Sequence, residues 1–172
     1  KACIPGGSSV PILPANLLLT TAKGEKRLMN YESLSDGGFA TGSMMGSGGF
    51  IVLDEDQCVV KNTYTLARFY RHESCGQCSP CREGTGWMEK ILLNIEKGKG
   101  KISDIDLLWD IQRKIEGNTI CPLGDAAAWP VAAAIRHFRD EFEWHVLNPD
   151  ECLKKNYGLA HYADEIHLPV TA

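Results

Sequence analysis

The sequence predicts an α+β protein in which a small strand-rich module precedes a bundle of four helices. Residues 1–55 contain many glycines and short apolar runs, a pattern that is typical of short strands joined by tight turns. From residue 56 to residue 147, apolar residues recur at three- and four-residue spacing, as they do in amphipathic helices. Residues 148–172 lose this periodicity, so we interpret them as a C-terminal tail on the surface.

Two apolar runs in the first third of the chain are predicted to form strands. They are Leu17-Leu18-Leu19 and the run FIVL at residues 50–53. Between them lie Gly37, Gly38, Gly42, Gly46, Gly48 and Gly49. A glycine-rich segment can cradle a phosphate, but the nucleotide-binding motifs need a following lysine or a regular glycine spacing, and this segment has neither. We therefore interpret it as tight turns, with a phosphate-binding loop as the alternative.

Four helical segments are predicted in the rest of the chain. The polar residues predicted to cap or begin them are, in order, Asp54 or Asp56, Ser79, Ser103 and Asp125. The second helix is expected to run from about Pro80 to Lys97, and glycines at 98 and 117 are expected to end the second and third helices. Pro130 is expected either in the first turn of the fourth helix or at a kink.

Four cysteines provide the strongest functional signal. Cys75, Cys78 and Cys81 have the spacing C-x2-C-x2-C, and a fourth, Cys121, is followed by Pro122. A loop with this spacing can supply three ligands of a compact iron–sulfur cluster, and a distant cysteine can supply the fourth. Structural zinc sites more often contain two C-x2-C pairs or cysteine–histidine pairs. The spacing therefore favours a [4Fe–4S] cluster, with zinc and disulfides as alternatives.

The residues between these cysteines suit a metal site. Gly76 lets the backbone pass close to a metal without a side-chain clash. Ser79 and Pro80 are typical of a helix start, which would place Cys81 in the first turn, where the positive end of the helix dipole favours an anionic cluster. His72 and His137 are interpreted as ordinary helix residues because an isolated histidine is weak evidence for a ligand.

Composition excludes several classes of function. The net charge is −4 in 172 residues, so no basic surface for nucleic acid is expected. No apolar run is long enough to cross a membrane, so direct membrane insertion is not expected. Cys3, Cys58 and Cys152 are too scattered for a disulfide framework, which favours a reducing compartment. The chain begins at Lys1 rather than at methionine, and we expect its true start to be missing.

The cysteine segments resemble a known family. The sequences ESCGQCSPCREG at 73–84, IEGNTICPLGDAAAWP at 115–130 and IRHF at 135–138 are similar to the NADH- and flavin-binding subunit of respiratory complex I. Related subunits occur in NAD-linked hydrogenases and formate dehydrogenases. The sequence IPGGSS at 4–9 resembles the small ubiquitin-like β domain of that subunit. The resemblance covers roughly residues 3–145, and the tail after Asn148 has no counterpart that we identify.

The resemblance implies a fold, a function and partners. Residues 1–55 would be part of a β-grasp domain, and residues 56–147 would be a four-helix domain holding one [4Fe–4S] cluster. An N-terminal domain that this chain lacks would bind FMN and NAD(H). Electrons would pass from NADH through FMN to the cluster and then to adjacent iron–sulfur subunits, including a thioredoxin-like [2Fe–2S] subunit. The complex would lie at the inner face of the membrane, on the cytoplasmic or the mitochondrial matrix side.

The resemblance also assigns site residues. Cys75, Cys78, Cys81 and Cys121 would be the metal ligands. The residues expected around the cofactor are Ser74, Gly76, Gln77, Thr119, Ile120, Pro122, Leu123 and Gly124, with Pro122 and Leu123 towards the flavin. A stand-alone ferredoxin-like carrier and a zinc-stapled structural module remain the competing hypotheses.

Overall fold

A computed structural model describes residues 1–20, 24–35 and 42–154, and it combines small sheets with packed helices. The strands are β1 (Ala2–Ile4), β2 (Leu13–Pro14), β3 (Leu19–Thr20), β4 (Lys26–Arg27) and β5 (Ile51–Leu53). The helices are α1 (Tyr31–Ser35), α2 (Val59–Glu73), α3 (Ser79–Glu96), α4 (Ile102–Ile115), α5 (Leu123–Leu147) and α6 (Pro149–Lys154). The predicted mixture of sheet and helix is therefore confirmed.

The larger sheet has three antiparallel strands in the order β2-β1-β5, and Cys3 of β1 lies opposite Leu13 on one side and Val52 on the other. Strands β3 and β4 form a separate antiparallel pair. The strand predicted at 50–53 is confirmed over three of its residues. The strand predicted at 17–19 is wrong over its first two residues, because the backbone N–H of Leu17 closes a turn onto the Pro14 carbonyl at 3.1 Å.

Several of the described glycines between the two predicted strands have the backbone conformation of tight turns. Gly42, Gly46 and Gly48 have φ values of 90°, 48° and 75°, a region that L side chains rarely adopt. At Gly46 a β-carbon would collide with the backbone carbonyl of Gly6, so this turn also requires glycine for space. Gly37 and Gly38, which were part of the same prediction, lie outside the described residues.

The predicted helix starts are displaced along the chain. Helix α2 begins after Cys58, because the Asp54 carboxylate accepts from the backbone N–H groups of Asp56 and Gln57 in the preceding turn, both at 3.1 Å. Helix α3 has Cys78 at its N-cap, so Ser79 is its first residue. Cys81 still lies in the first turn, as predicted.

Helices α4 and α5 start before the predicted residues. Helix α4 begins at Ile102, one residue before Ser103, and the Asp104 carboxylate accepts from the backbone N–H of Lys101 at 2.9 Å. Helix α5 begins at Leu123 with Pro122 at its N-cap, and Asp125 is engaged elsewhere: its Oδ1 accepts from the backbone N–H of Gly117 at 2.7 Å. Asp125 therefore joins two segments rather than capping its own helix.

The predicted helix ends agree with the structure, but the position predicted for a kink does not. Gly98 and Gly117 both follow a helix end with φ of 70°. Pro130 lies inside α5, beyond its first turn. The non-helical backbone of α5 is at Phe138, with φ of −132° and ψ of 28°, so the kink lies about two turns after the proline.

One apolar core joins the sheet to the helices. Helix α3 contacts α2, α4 and α5, and α5 also packs against α2, α4 and β2. Buried residues of the strand region, such as Ile4 and Ile12, belong to the same core as Met88, Leu92 and Phe142 of the helices. A second, smaller cluster contains Leu13, Leu19 and Leu34.

The segment after residue 147 is partly helical, and its interpretation as a surface tail stays a prediction. Helix α6 covers residues 149–154, and residues 155–172 lie outside the described part. A six-residue helix is too short for apolar periodicity to reveal it. In the part of the chain that the structure describes, no helix is both long enough and apolar enough to span a bilayer. The division into residues 1–55, 56–147 and 148–172 stays a prediction.

Candidate metal centre

The four cysteines of the sequence motif lie in two loops at one end of the long helices. Cys75 is in the loop between α2 and α3, Cys78 is the N-cap of α3, and Cys81 lies in its first turn. Cys121 is in the loop between α4 and α5. All four are free thiols in this structure. Cys81 is buried and Cys78 is half-buried, whereas Cys75 and Cys121 are exposed.

Two contacts of sulfur atoms organise this end of the molecule. The backbone N–H of Ile120 donates to Cys78 Sγ at 3.5 Å, so the α4–α5 loop touches the cysteine loop across 42 residues of sequence. The Ser74 hydroxyl lies 3.2 Å from Cys81 Sγ. Ile120 is 89% exposed. The structure therefore brings the two predicted ligand loops together.

The first loop is fixed by a glycine and an arginine. Gly76 has φ of 78°, and its backbone N–H donates to the Ser74 hydroxyl at 3.4 Å. Arg82 Nη1 donates to the Gly76 carbonyl at 2.8 Å, and the Arg82 backbone N–H donates to the Cys78 carbonyl at 2.8 Å. Gln77 is exposed in this loop. Arg82 was missed by the sequence reasoning, although its place directly after Cys81 could have indicated it.

The second loop is packed tightly against the start of α5. Thr119 Oγ1 donates to the Cys121 carbonyl at 2.9 Å. A β-carbon at Gly124 would collide with the Thr119 side chain, so glycine lets the loop lie close to the helix. Pro122 is exposed at the N-cap of α5, and Leu123, its first residue, packs against the core.

The arrangement fits an anionic iron–sulfur cluster. Helices α3 and α5 both begin at these loops, so the positive ends of two helix dipoles lie at the cysteines. The Ile120 N–H already bonds to a cysteine sulfur, which is how backbone groups tune such clusters. Four free thiols supply the ligand set that a [4Fe–4S] cluster requires. Zinc also accepts four thiolates, so the donor set by itself leaves the zinc alternative open.

The histidines that the sequence analysis considered lie apart from this contact network. His72 is exposed near the end of α2, where its Nδ1 lies 3.0 Å from Glu73 Oε1. His137 lies inside α5, and burial together with the nearby Arg136 charge lowers its pKa. Both observations agree with their interpretation as ordinary helix residues.

Comparison with known proteins assigns the helical region to an iron–sulfur family. Residues 61–145 match the family model of the NADH-ubiquinone oxidoreductase-F iron-sulfur binding region. The chain is 50% identical over 143 residues to the F subunit of NADH-quinone oxidoreductase of Rickettsia bellii, covering 83% of this chain and 32% of that protein. It is 45% identical over 160 residues to the corresponding protein of Rickettsia typhi, covering 93% and 34%.

A solved structure shows the same fold. The crystal structure of an NAD+-reducing [NiFe]-hydrogenase in the H2-reduced state matches with a TM-score of 0.67 at 29% identity, covering 84% of this chain and 23% of the matched chain. The chain spans about a third of the length of the two Rickettsia relatives, at 32% and 34%. The family match, the relatives and the motifs agree: the chain belongs to the NADH-ubiquinone oxidoreductase-F family and carries its iron–sulfur binding region.

Proposed function

We propose that Cys75, Cys78, Cys81 and Cys121 bind one [4Fe–4S] cluster and that the chain serves electron transfer. The observation that carries this proposal is the 3.5 Å contact between the Ile120 N–H and Cys78 Sγ, because it joins the loop of the fourth cysteine to the loop of the other three. When bound, such a cluster accepts and releases one electron at a time. The family match over residues 61–145 supports the choice of iron–sulfur over zinc.

The residues around the cysteines would hold and tune the cluster. Gly76 has no side chain, so the backbone could pass close to the cluster at this residue. The Ser74 hydroxyl would tune the cluster through its contact with the ligand atom Cys81 Sγ. The Ile120 N–H would draw charge from the Cys78 sulfur and so raise the reduction potential. The proposed surrounding set is Ser74, Gly76, Gln77, Thr119, Ile120, Pro122, Leu123 and Gly124. Arg82 would keep the first loop closed through its bond to the Gly76 carbonyl.

The proposed host is a respiratory NADH:quinone oxidoreductase, as the names of the Rickettsia relatives indicate. Within it, the chain would serve electron transfer from FMN, reduced by NADH, towards the next iron–sulfur subunit. FMN and NAD(H) would be bound by a domain that is outside this chain. We also propose the finer fold assignment: residues 1–55 as part of a β-grasp domain and 56–147 as a four-helix iron–sulfur domain.

The proposed partners would cover the exposed side of the cysteine loops. Cys75 and Cys121 are exposed, and Ile120, which precedes Cys121, is 89% exposed. An apolar side chain this exposed next to a redox centre supports contact with the flavin domain or with an adjacent iron–sulfur subunit, such as a thioredoxin-like [2Fe–2S] protein. The assembly would lie peripherally at the inner face of the membrane.

A related host is the second candidate. The matched crystal structure is that of an NAD+-reducing [NiFe]-hydrogenase, so the chain could serve in the corresponding part of such an enzyme. Identity favours the quinone oxidoreductase, at 50% against 29%. Purification of the tagged native assembly decides between them: quinone reduction by NADH supports the first host, and NAD+ reduction by hydrogen supports the second.

Iron analysis tests the cluster itself. The full chain, purified without oxygen, should be brown, should contain about four irons and four sulfides and should bleach with dithionite. Cys121→Ala should lose most of the iron and lower the thermal stability, because cluster binding and folding are coupled. Cys3→Ala removes a buried thiol that contacts Met29 instead, and it should keep the iron. A colourless protein, or full iron content in Cys121→Ala, would overturn the ligand assignment.

A further inference from the structure

A second cluster of metal-binding side chains lies at the other end of the long helices. Cys58 is the N-cap of α2, Glu96 is the last residue of α3, and His145 lies in the last turn of α5. Helix α2 separates this cluster from the motif cysteines by 15 residues, which is about 22 Å at 1.5 Å per residue. The two groups of side chains are therefore too far apart to bind the same metal ion or cluster.

These three side chains are close together and almost wholly buried. Cys58 Sγ lies 3.6 Å from His145 Nδ1 and 3.9 Å from Glu96 Oε1, and His145 Nε2 lies 3.7 Å from the same Glu96 oxygen. One donor atom from each residue can be chosen so that all three lie within 4.8 Å of one another. The exposed fractions are 5% for Cys58, 7% for Glu96 and 1% for His145.

We propose that Cys58, Glu96 and His145 bind a Zn²⁺ ion that fastens together the ends of three helices. Thiolate, imidazole and carboxylate are the three ligand types that zinc prefers. Zinc–ligand bonds of about 2.0 to 2.3 Å in a tetrahedron place neighbouring donor atoms about 3.4 to 3.6 Å apart. With one ring nitrogen of His145 as the ligand, the three donor atoms lie within 4.8 Å of one another, so side-chain rotations that move the donors by up to about 1 Å would complete the site. The second Glu96 oxygen or a water would be the fourth ligand.

Charge balance supports a divalent cation at this place. A thiolate and a carboxylate together carry two negative charges, and with neutral His145 they would balance one Zn²⁺. The nearby Glu141 stays outside the set, because its Oε1 accepts from Lys1 Nζ and from the Val59 N–H, both at 2.9 Å.

Zinc quantification and X-ray absorption on the full chain test the proposal without any substitution. One zinc per chain is expected beside the cluster iron, and its absorption spectrum should show one sulfur and two or three nitrogen or oxygen neighbours. A zinc environment of three or four sulfurs would overturn the proposal, because the metal would then occupy the motif cysteines. Zinc below one-tenth of an equivalent after purification and after reconstitution with zinc chloride would also overturn it.

Matched substitutions separate this site from the iron–sulfur site. His145→Gln and Cys58→Ser should each lower zinc occupancy at least tenfold, whereas Cys3→Ala should keep it. Cys121→Ala should lose iron but keep zinc, so that failure of one site is distinguishable from failure of the other. Should His145→Gln fail to fold, the wild-type chain that carries its iron–sulfur cluster, reconstituted with Co²⁺, provides the readout by X-ray absorption at the cobalt edge. One sulfur neighbour with two or three nitrogen or oxygen neighbours supports the proposal, and an environment with no sulfur or with three or four sulfurs overturns it.

Discussion

At the scale of single residues, Gly124 shows how closely the loop of Cys121 is packed. A β-carbon there would collide with the Thr119 side chain, whose hydroxyl holds the Cys121 carbonyl. We expect Gly124→Ala to displace this loop, to destabilise the fold by about 1–3 kcal/mol and to lower iron occupancy. Denaturant unfolding and iron content would measure the two effects.

Gly86→Ala is the matched control for Gly124→Ala. Gly86 lies in the middle of α3, and a β-carbon there would meet mainly the end of the Arg71 side chain, with Nη1 at 2.6 Å. A flexible arginine can move, and alanine is the better helix former by about 1 kcal/mol. The control should therefore be neutral or stabilising. Equal losses in the two variants would contradict the packing argument.

His137 should make the fold sensitive to mild acid. Burial and then the charge of Arg136 hold the pKa of His137 below its ordinary value. As pH falls below about 6.5, the unfolded chain gains a proton on this residue before the folded chain does, so its contribution to the free energy of unfolding is lost. We expect His137→Gln to flatten the decline of stability as the pH falls below about 6.5, measured by denaturant titrations. Parallel pH profiles for both proteins would refute this assignment.

At the scale of elements, α2 depends on α5 for its N-terminal hydrogen bond. The N-cap Cys58 makes no side-chain cap, whereas Glu141 of α5 accepts from the Val59 N–H at 2.9 Å. We expect Glu141→Ala to cost about 1–3 kcal/mol of stability, because the carboxylate is partly buried and its loss leaves that N–H without its acceptor. Glu141→Gln retains an acceptor oxygen and should cost less. Thermal and denaturant unfolding would rank the variants.

Glu143→Ala is the comparison on the same helix. Glu143 makes an ion pair with Arg139 at 2.7 Å, and its side chain is 37% exposed. Exposed pairs of this kind contribute less than about 1 kcal/mol. A Glu143→Ala variant as destabilised as Glu141→Ala would show that the contact with α2 is not the cause.

The type and order of the long helices could be predicted from apolar periodicity, but their first residues could not. Which residue caps a helix depends on contacts between distant segments as well as on local sequence. Asp125 bonds to Gly117 instead of capping α5, and Glu141 replaces a local cap for α2. Helix α1 covers five residues, too few for a periodic pattern to appear. Capping rules based on local sequence therefore fail for helices whose first residues are set by tertiary contacts.

The same limit applies to the candidate site. Spacing was enough to single out the four cysteines, because the C-x2-C-x2-C run is rare and chemically specific. The contact between the Ile120 N–H and Cys78 depends on how two loops meet across the helices, so the sequence indicated Ile120 only through the family resemblance. Cys58, Glu96 and His145 are far apart in sequence, and only the packing of α2, α3 and α5 brings them together.

At the scale of the whole molecule, the core that joins sheet and helices should make them unfold together. Ile12 of the strand region is 3% exposed and belongs to the core of the helices. We expect Ile12→Ala to destabilise the helices by about 2–5 kcal/mol. All four tryptophans lie in α3, α4 or α5, so their fluorescence during denaturant unfolding reports on the helices.

Leu34→Ala tests whether this coupling is specific. Leu34 is 5% exposed, but it belongs to the smaller cluster with Leu13 and Leu19. Its removal should shift the tryptophan transition less than Ile12→Ala does. A transition that stays unchanged in Ile12→Ala would mean that the strands and helices unfold as separate units.

The uneven exposure of the motif cysteines determines how a bound iron–sulfur cluster could be exchanged. Cys75 and Cys121 face solvent while Cys81 is buried, so oxidants, chelators and iron donors all approach from one side. A cluster bound by these cysteines could be lost and rebuilt while every helix stays folded. At Cys58, Glu96 and His145, where all three side chains are buried, an ion could enter or leave only when the helix ends separate. Metal at the motif cysteines would thus be exchangeable until the proposed partners cover that side, whereas metal at the three buried side chains would be acquired during folding.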